Sequence, residues 1–351
     1  MWPYWFLFAL PAFFAMTHLK EERLNPYHGW TWDWYLIFLI MAIMIGFRYQ
    51  VGGDWDQYEN QSSAYNDLSD VLRSKESGYA LLNALSLYFG GIFFVNFICG
   101  VMFSYGLAIF CRTLPFPWIG MIVAIPYLVM VVAMGYSRQG VAIGLFMLGI
   151  VKIREHKYWQ YALCAITTCL FHLSAIVMIP IVGLSITKQK ATVIPLLFLT
   201  VIAIYFAFLA GQIDTYVTGY LDAEYQSAGA EIRVWMNVIP AIIFFFIRNR
   251  IPITKQQKTF WTILSVGAVG MVLALRISSS STAVDRIALY WIPIQIYAYS
   301  MVPLAFKKFS SGSSWIMFFI LYSAIVQFVW LNYAATAFAW LPYQFYLGTW
   351  F

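Results

Sequence analysis

The sequence predicts an all-α polytopic membrane protein, a single integral-membrane domain over residues 1–351 with about 10–12 transmembrane helices. Three observations predict it. The chain is 62% hydrophobic and only 10% charged, where a soluble domain carries roughly 25% charge. Its mean hydropathy is +0.72. Apolar runs of spanning or near-spanning length recur from one end to the other, and many Trp and Tyr residues fall near their ends, as an interfacial aromatic belt would.

The runs lie at about 2–17, 31–47, 91–111, 117–134, 139–152, 158–187, 191–210, 234–247, 259–275, 287–305 and 315–333. The first lacks a basic lead-in and a small-residue cleavage site, so it is expected to remain as a helix. Residues 78–90 read as a short amphipathic or half-inserted helix feeding the next span. The 158–187 run is too long for one untilted helix and too short for two ordinary ones. Both its flanks are basic, so a broken or re-entrant pair with its apex near His172 is expected. Non-helical backbone at that depth is tolerated only within protein or beside a wet cavity.

Charge orients the chain. With Lys20 and Arg23 placed in the cytoplasm and the spans alternating, Arg112, Lys152, Arg154, Lys157, Lys188, Lys190, Arg248, Arg250, Lys255, Lys258, Lys307 and Lys308 also fall inside. That accounts for fourteen of the 21 basic residues. Arg48, Arg73, Lys75, Arg138, Arg233, Arg276 and Arg286 fall outside. Two longer outer segments, 48–90 and 211–233, carry most of the acids: Asp54, Asp56, Glu59, Asp67, Asp70 and Glu76, then Asp214, Asp222, Glu224 and Glu231. Inner loops are short and basic, so function is expected at the outer face. The four cysteines, all in apolar stretches, form neither a metal-ligand pattern nor a disulfide framework.

Arg48 stands where the second run meets the acidic, aromatic stretch Gly52-Gly53-Asp54-Trp55-Asp56-Gln57-Tyr58. An arginine at a helix end can simply snorkel. A polar cluster after two glycines points instead to a built loop, where a guanidinium fork suits diphosphate oxygens. The Asp-x-Asp pattern is weak evidence for metal, and these carboxylates suit sugar hydroxyls or an arginine partner equally. In Ser137-Arg138-Gln139, Ser137 is placed to cap the following helix, and Arg138 opens it at the outer face. Helix N-termini favour anions and disfavour cations, so an arginine there suggests a ligand. His172 lies mid-run, and an ionisable group inside a membrane is a functional candidate by default. Near the C-terminal third, Arg276 and Arg286 flank a Ser-rich outer turn. Thr282-x-x-Asp285 resembles a capping box, while Arg233, beside Glu231, reads as structural. Trp340-Leu341-Pro342-Tyr343 is expected to form part of the outer face.

Three blocks together resemble the EpsG-like branch of the Wzy-type polysaccharide polymerases. They are Phe47-Arg48-Tyr49-Gln50-Val51-Gly52-Gly53-Asp54-Trp55-Asp56-Gln57-Tyr58, Ser137-Arg138-Gln139-Gly140-Val141-Ala142 and Phe171-His172-Leu173-Ser174-Ala175. An Asp-Arg…Tyr block at Asp285–Tyr290 fits as well. Gly53 stands where the pattern commonly has Thr. The resemblance implies a GT-C-like helical fold. It also implies transfer of an oligosaccharide between two undecaprenyl-diphosphate-linked repeat units at the outer face of a bacterial cytoplasmic membrane. Arg48, Asp54, Tyr58, Arg138, Gln139 and His172 fall on its motif positions, and Arg286 more loosely.

Such chemistry needs donors on the diphosphate that leaves and a base on the hydroxyl that attacks. Arg48, Arg138, Arg286 and Arg276 are assigned to the diphosphate, and His172 or Asp54 to proton transfer. Asp56, Tyr58, Gln139, Asp285 and Tyr290 are assigned to sugar and acceptor. No metal or other cofactor is expected, since arginine can neutralise the diphosphate. The expected partners are the lipid-linked donor and acceptor, membrane lipid, and a chain-length-regulating copolymerase and flippase, with no nucleic acid. A ligase using the same donor would share these residues. A flippase would carry repeat-related halves and midplane charge, and an acyltransferase would centre on His172 with less need of arginines.

Overall fold

The computed structural model describes the chain except for residues 23, 63–64, 66–67, 180–181, 184–228, 279–280, 308–311 and 347–351. The run expected at 191–210, most of the outer segment 211–233 and its acids Asp214, Asp222 and Glu224 therefore lie outside the described residues, as do Arg23, Asp67, Lys188, Lys190 and Lys308. Among the described residues the chain is helical, without a strand. It divides into two compact units, Met1–His172 with Phe306–Phe351, and Leu173–Ala305.

In the first unit the apolar runs become α1 (Trp2–Thr17), α2 (Trp32–Gly46), α6 (Ile92–Arg112), α7 (Pro117–Ala124), α8 (Ser137–Arg154), α9 (Tyr158–Phe171) and α14 (Gly312–Tyr333). Three short helices, α3 (Trp55–Ser62), α4 (Leu68–Arg73) and α5 (Ser77–Ser86), fill the segment between α2 and α6. α7 widens into a π-helix over Ile125–Ala133. Pro126, near its start, has no N–H to continue the α-helical ladder. α2, α6 and α8 approach closely through small residues. A Cβ on Gly106 of α6 would lie 2.1 Å from the Gly144 carbonyl oxygen of α8, the small-residue contact by which apolar helices associate without a hydrophobic drive.

The spans alternate in direction. At one end Arg112 Nη2 donates to the carbonyls of Asn25 and His28, at 2.7 and 3.0 Å. Lys152 Nζ sits 4.0 Å from the Tyr27 ring centre, and Lys307 pairs with Glu21. This end gathers the first unit's basic loops. The opposite end gathers Arg48, Glu76, Arg138 and His172.

The second unit contains a 3-10 turn (Leu173–Val177), α10 (Ala230–Ile247), α11 (Lys255–Ile277), α12 (Ser281–Ala288) and α13 (Pro293–Ala305). α11 opens on a full capping box between Thr254 and Gln257. Within it Trp291 Nε1 donates to the Leu264 carbonyl at 2.8 Å, and Trp261 stacks on Tyr297 with ring centres 3.9 Å apart. Polar side chains join the helices: Asn237 Nδ2 donates to the Ala288 carbonyl and Gln295 Nε2 to Asn237 Oδ1, at 2.9 and 2.8 Å.

Five described helical segments are long and apolar enough to cross a membrane: Ile92–Arg112, Ala230–Ile247, Lys255–Ile277, Ser281–Ala305 and Gly312–Tyr333. Trp32–Gly46 and Pro117–Ala133 are shorter apolar helices. The protein is a multi-pass, all-α membrane protein. The long run from residue 158 does break at His172, which ends α9 in an extended conformation (φ −153°, ψ 111°) before the 3-10 turn.

Candidate active site

α2 carries one acid, Asp33, in its first turn, is apolar from there to its end at Gly46, and the chain then turns against the C-terminal segment. Tyr49 N–H donates to the Gln344 carbonyl, Tyr346 N–H to that of Phe47, and Gly52 N–H to that of Ala339. Gly52 adopts φ +109°, and a Cβ there would fall 2.7 Å from the Met134 carbonyl oxygen. Only glycine satisfies both conditions. Trp340 locks the segment down, donating from Nε1 to the Met130 carbonyl at 2.9 Å, while its own carbonyl accepts from Tyr4 Oη at 2.7 Å. The expected outer element at Trp340–Tyr343 is thus part of the floor of the Arg48 loop.

Arg48 is 1% exposed. Nε donates to the Val51 carbonyl, Nη1 to that of Ile45, and Nη2 to Asn96 Oδ1 and Ser137 Oγ at 3.1 and 2.7 Å. Ser137 Oγ in turn donates to Asn96 Oδ1 at 2.9 Å. A charge this deep is tolerated because its donors are spent within the protein. Arg48 therefore joins α2, α6 and α8 rather than presenting a fork to solvent. Ser137 is not the helix cap expected of it. α8 begins at Ser137 with Tyr136 in the cap position and no side-chain cap, because the Ser137 hydroxyl is taken by Arg48 and Asn96.

One residue on, Arg138 emerges at the same end. Nη1 pairs with Glu76 Oε2 at 2.8 Å, and the guanidinium lies over the rings of Tyr58 and Tyr79, at 5.3 and 5.6 Å. Nε is buried and makes no hydrogen bond in the protein. The other oxygen of Glu76, Oε1, lies 2.6 Å from His172 Nδ1. Glu76 stands at the N-cap of α5. Burial opposes its charge, but His172 and Arg138 outweigh that and hold its carboxyl below the ordinary value. Arg138, Glu76 and His172, from three separate stretches of sequence, form one continuous polar chain over a tyrosine pair.

Tyr58 is buried against the Arg138 guanidinium, Gln139 is buried on α8, Asp54 is partly exposed and Asp56 exposed. Arg276, Asp285, Arg286 and Tyr290 belong to the second unit. There Arg233 grips Asp285 with a two-pronged bond, Nε to Oδ1 and Nη2 to Oδ2, both 2.6 Å. Asp285 is thus held by an ion pair within the second unit. Glu231, expected beside Arg233, pairs with Arg276 at 2.6 Å. Arg276 and Arg286 are exposed, and Tyr290 is buried, with Ser174 Oγ donating to its Oη at 3.4 Å. Among the described residues no three His, Cys, Asp or Glu side chains group as a metal site.

Glu76, Tyr79 and Asn96 were not singled out from sequence. Asn96 carried a signal, a lone amide in the apolar run 91–111; Glu76 was one acid among many.

A family model described as the EpsG family matches residues 31–345, nearly the whole chain and all three motif blocks. The chain belongs to the EpsG family. Membership points to a polysaccharide polymerase acting on lipid-linked oligosaccharide. Comparison with curated proteins and with solved structures gave no match. The EpsG match spans Arg48, Arg138 and His172, and the fold brings two of the three onto a single carboxylate.

Proposed function

We propose that this EpsG-family protein is a glycosyltransferase that polymerises polyprenyl-diphosphate-linked repeat units at the outer face of the cytoplasmic membrane. The observation that carries the reading is the meeting of Arg138 and His172 on Glu76, beside buried tyrosines, at the end of the first unit opposite its basic loops. If those loops face the cytoplasm, as positive charge does, the site faces outward.

In this reading the acceptor hydroxyl loses its proton to His172 as its oxygen attacks the anomeric carbon of the donor. The bond from that carbon to the diphosphate oxygen breaks, and its electrons leave with the lipid diphosphate. Arg138 stabilises the charge that develops there with its guanidinium. Arg48 acts behind it, holding the first turn of α8. Arg276 and Arg286 are assigned to the second lipid diphosphate that a polymerase must handle. Asp54 is the alternative base, and Asp56 and Gln139 are assigned to sugar and acceptor.

The test is a gel of surface and lipid-linked glycans from cells with and without the gene. Loss of the polymer ladder with single repeat units persisting is expected. Long polymer stranded on lipid diphosphate would mean a ligase. An unchanged ladder would refute both.

A further inference from the structure

We infer that Glu76 is the positioning residue of this site, fixing His172 with its proton on Nδ1 and its lone pair on Nε2 while holding Arg138 alongside. As a role in catalysis this rests on the polymerase reading above; as a statement about His172 it stands on geometry alone.

The backbone brings the pair together. His172 is anchored where α9 ends, its N–H donating to the Thr168 carbonyl at 3.0 Å. α5 begins against that same turn: a Cβ on Gly78 would lie 3.0 Å from Leu170 Cβ. Glu76 is held in turn, its N–H donating to Ser74 Oγ at 3.3 Å and its carbonyl accepting from Ala80 N–H at 3.0 Å. Side chains of Glu76 and His172 are each 15% exposed, so little water competes for the contact.

The chemistry then follows from donor and acceptor counts. A carboxylate whose Oε2 takes Arg138 Nη1 is ionised and can only accept. The atom 2.6 Å from its Oε1 is His172 Nδ1, so the hydrogen between them belongs to the imidazole. In the neutral ring that leaves Nε2 without a proton, able to accept one from a hydroxyl. A carboxylate behind a histidine sets which nitrogen is basic and which way the ring faces. A plain salt bridge tying α5 to α8 would need Arg138 but not His172.

The experiment uses full-length protein in lipid nanodiscs with 15N-labelled histidine. The chain has four histidines, and His172→Ala assigns the signal. The wild type is expected to show protonated Nδ1 and bare Nε2. In Glu76→Ala the signal is expected to move toward bare Nδ1, and kcat to fall on the order of 100-fold, with a smaller change in KM. Glu76→Asp, which keeps the charge on a shorter arm, is expected to recover part of both. Should Glu76→Ala not fold, Glu76→Gln keeps the shape and is expected to shift the signal the same way, since a neutral amide accepts more weakly. An unmoved His172 signal in the folded Glu76 variants would overturn the inference, as would a moved signal with unchanged kcat. Normal polymerisation by His172→Ala would instead remove the base from the proposed mechanism, and the signal tells the two failures apart.

Discussion

Arg48 Nη2 donates to Ser137 Oγ at 2.7 Å, so a buried guanidinium grips the residue immediately before the arginine that reaches the site. In the proposed reading the two arginines have different work: Arg48 fixes where α8 starts, and Arg138 uses that start.

Arg48→Lys is expected to destabilise the protein, because an ammonium cannot reach two carbonyls, Asn96 and Ser137 together. Each charge-assisted bond lost costs about 1.5–3 kcal/mol. Thermal unfolding in nanodiscs should show a lower midpoint, with activity falling in parallel. An unchanged midpoint with lost activity would return Arg48 to the diphosphate clamp.

Arg138→Gln is expected to act the other way round. Turnover should fall about 10²–10³-fold, the scale for removing one donor to developing charge, with a smaller loss of stability than Arg48→Lys causes. The ratio of kinetic to thermal effect in the two variants is the measurement. Equal ratios would contradict the division of labour.

Much of this was legible from sequence. Composition and the spacing of apolar runs are properties of the chain itself, so the described helices fall near where hydropathy places them, and the break at His172 follows from a run of awkward length. Arg138 and His172 were visible as ionisable groups, one opening a helix that disfavours cations and one in the middle of an apolar run. Glu76 was not, since nothing local separates it from Asp70; only the approach of α5 to the last turn of α9 selects it. Ser137 misled because capping preference is local, whereas its hydroxyl is claimed by Arg48 from 89 residues away in sequence. The π-helix at Ile125–Ala133 left no hydropathy signal, for a widened helix is as apolar as an α-helix.

Acid should weaken the site in a definite direction. Glu76 is held below its reference value of 4.5, so its contribution to stability is fully present above that pH and is lost as pH falls through the folded value. Unfolding midpoints of wild type and Glu76→Gln, measured from neutral pH down past 4.5, should converge toward the acid end. A constant gap would contradict the assignment.

Activity should persist in excess chelator, since arginines rather than a metal are assigned to the diphosphate. Loss of activity under chelation, restored by Mg²⁺ or Mn²⁺, would revive Asp54 and Asp56 as ligands.

The most direct measurement is a single-enzyme reaction. Purified protein in nanodiscs is given a lipid-diphosphate-linked repeat unit, and both lengthened glycan and released lipid diphosphate are counted. One diphosphate released per glycosidic bond formed by the wild type, with His172→Ala and Arg138→Gln folded but at least 100-fold slower, is the predicted result. Lengthening at the wild-type rate by both variants would contradict the account.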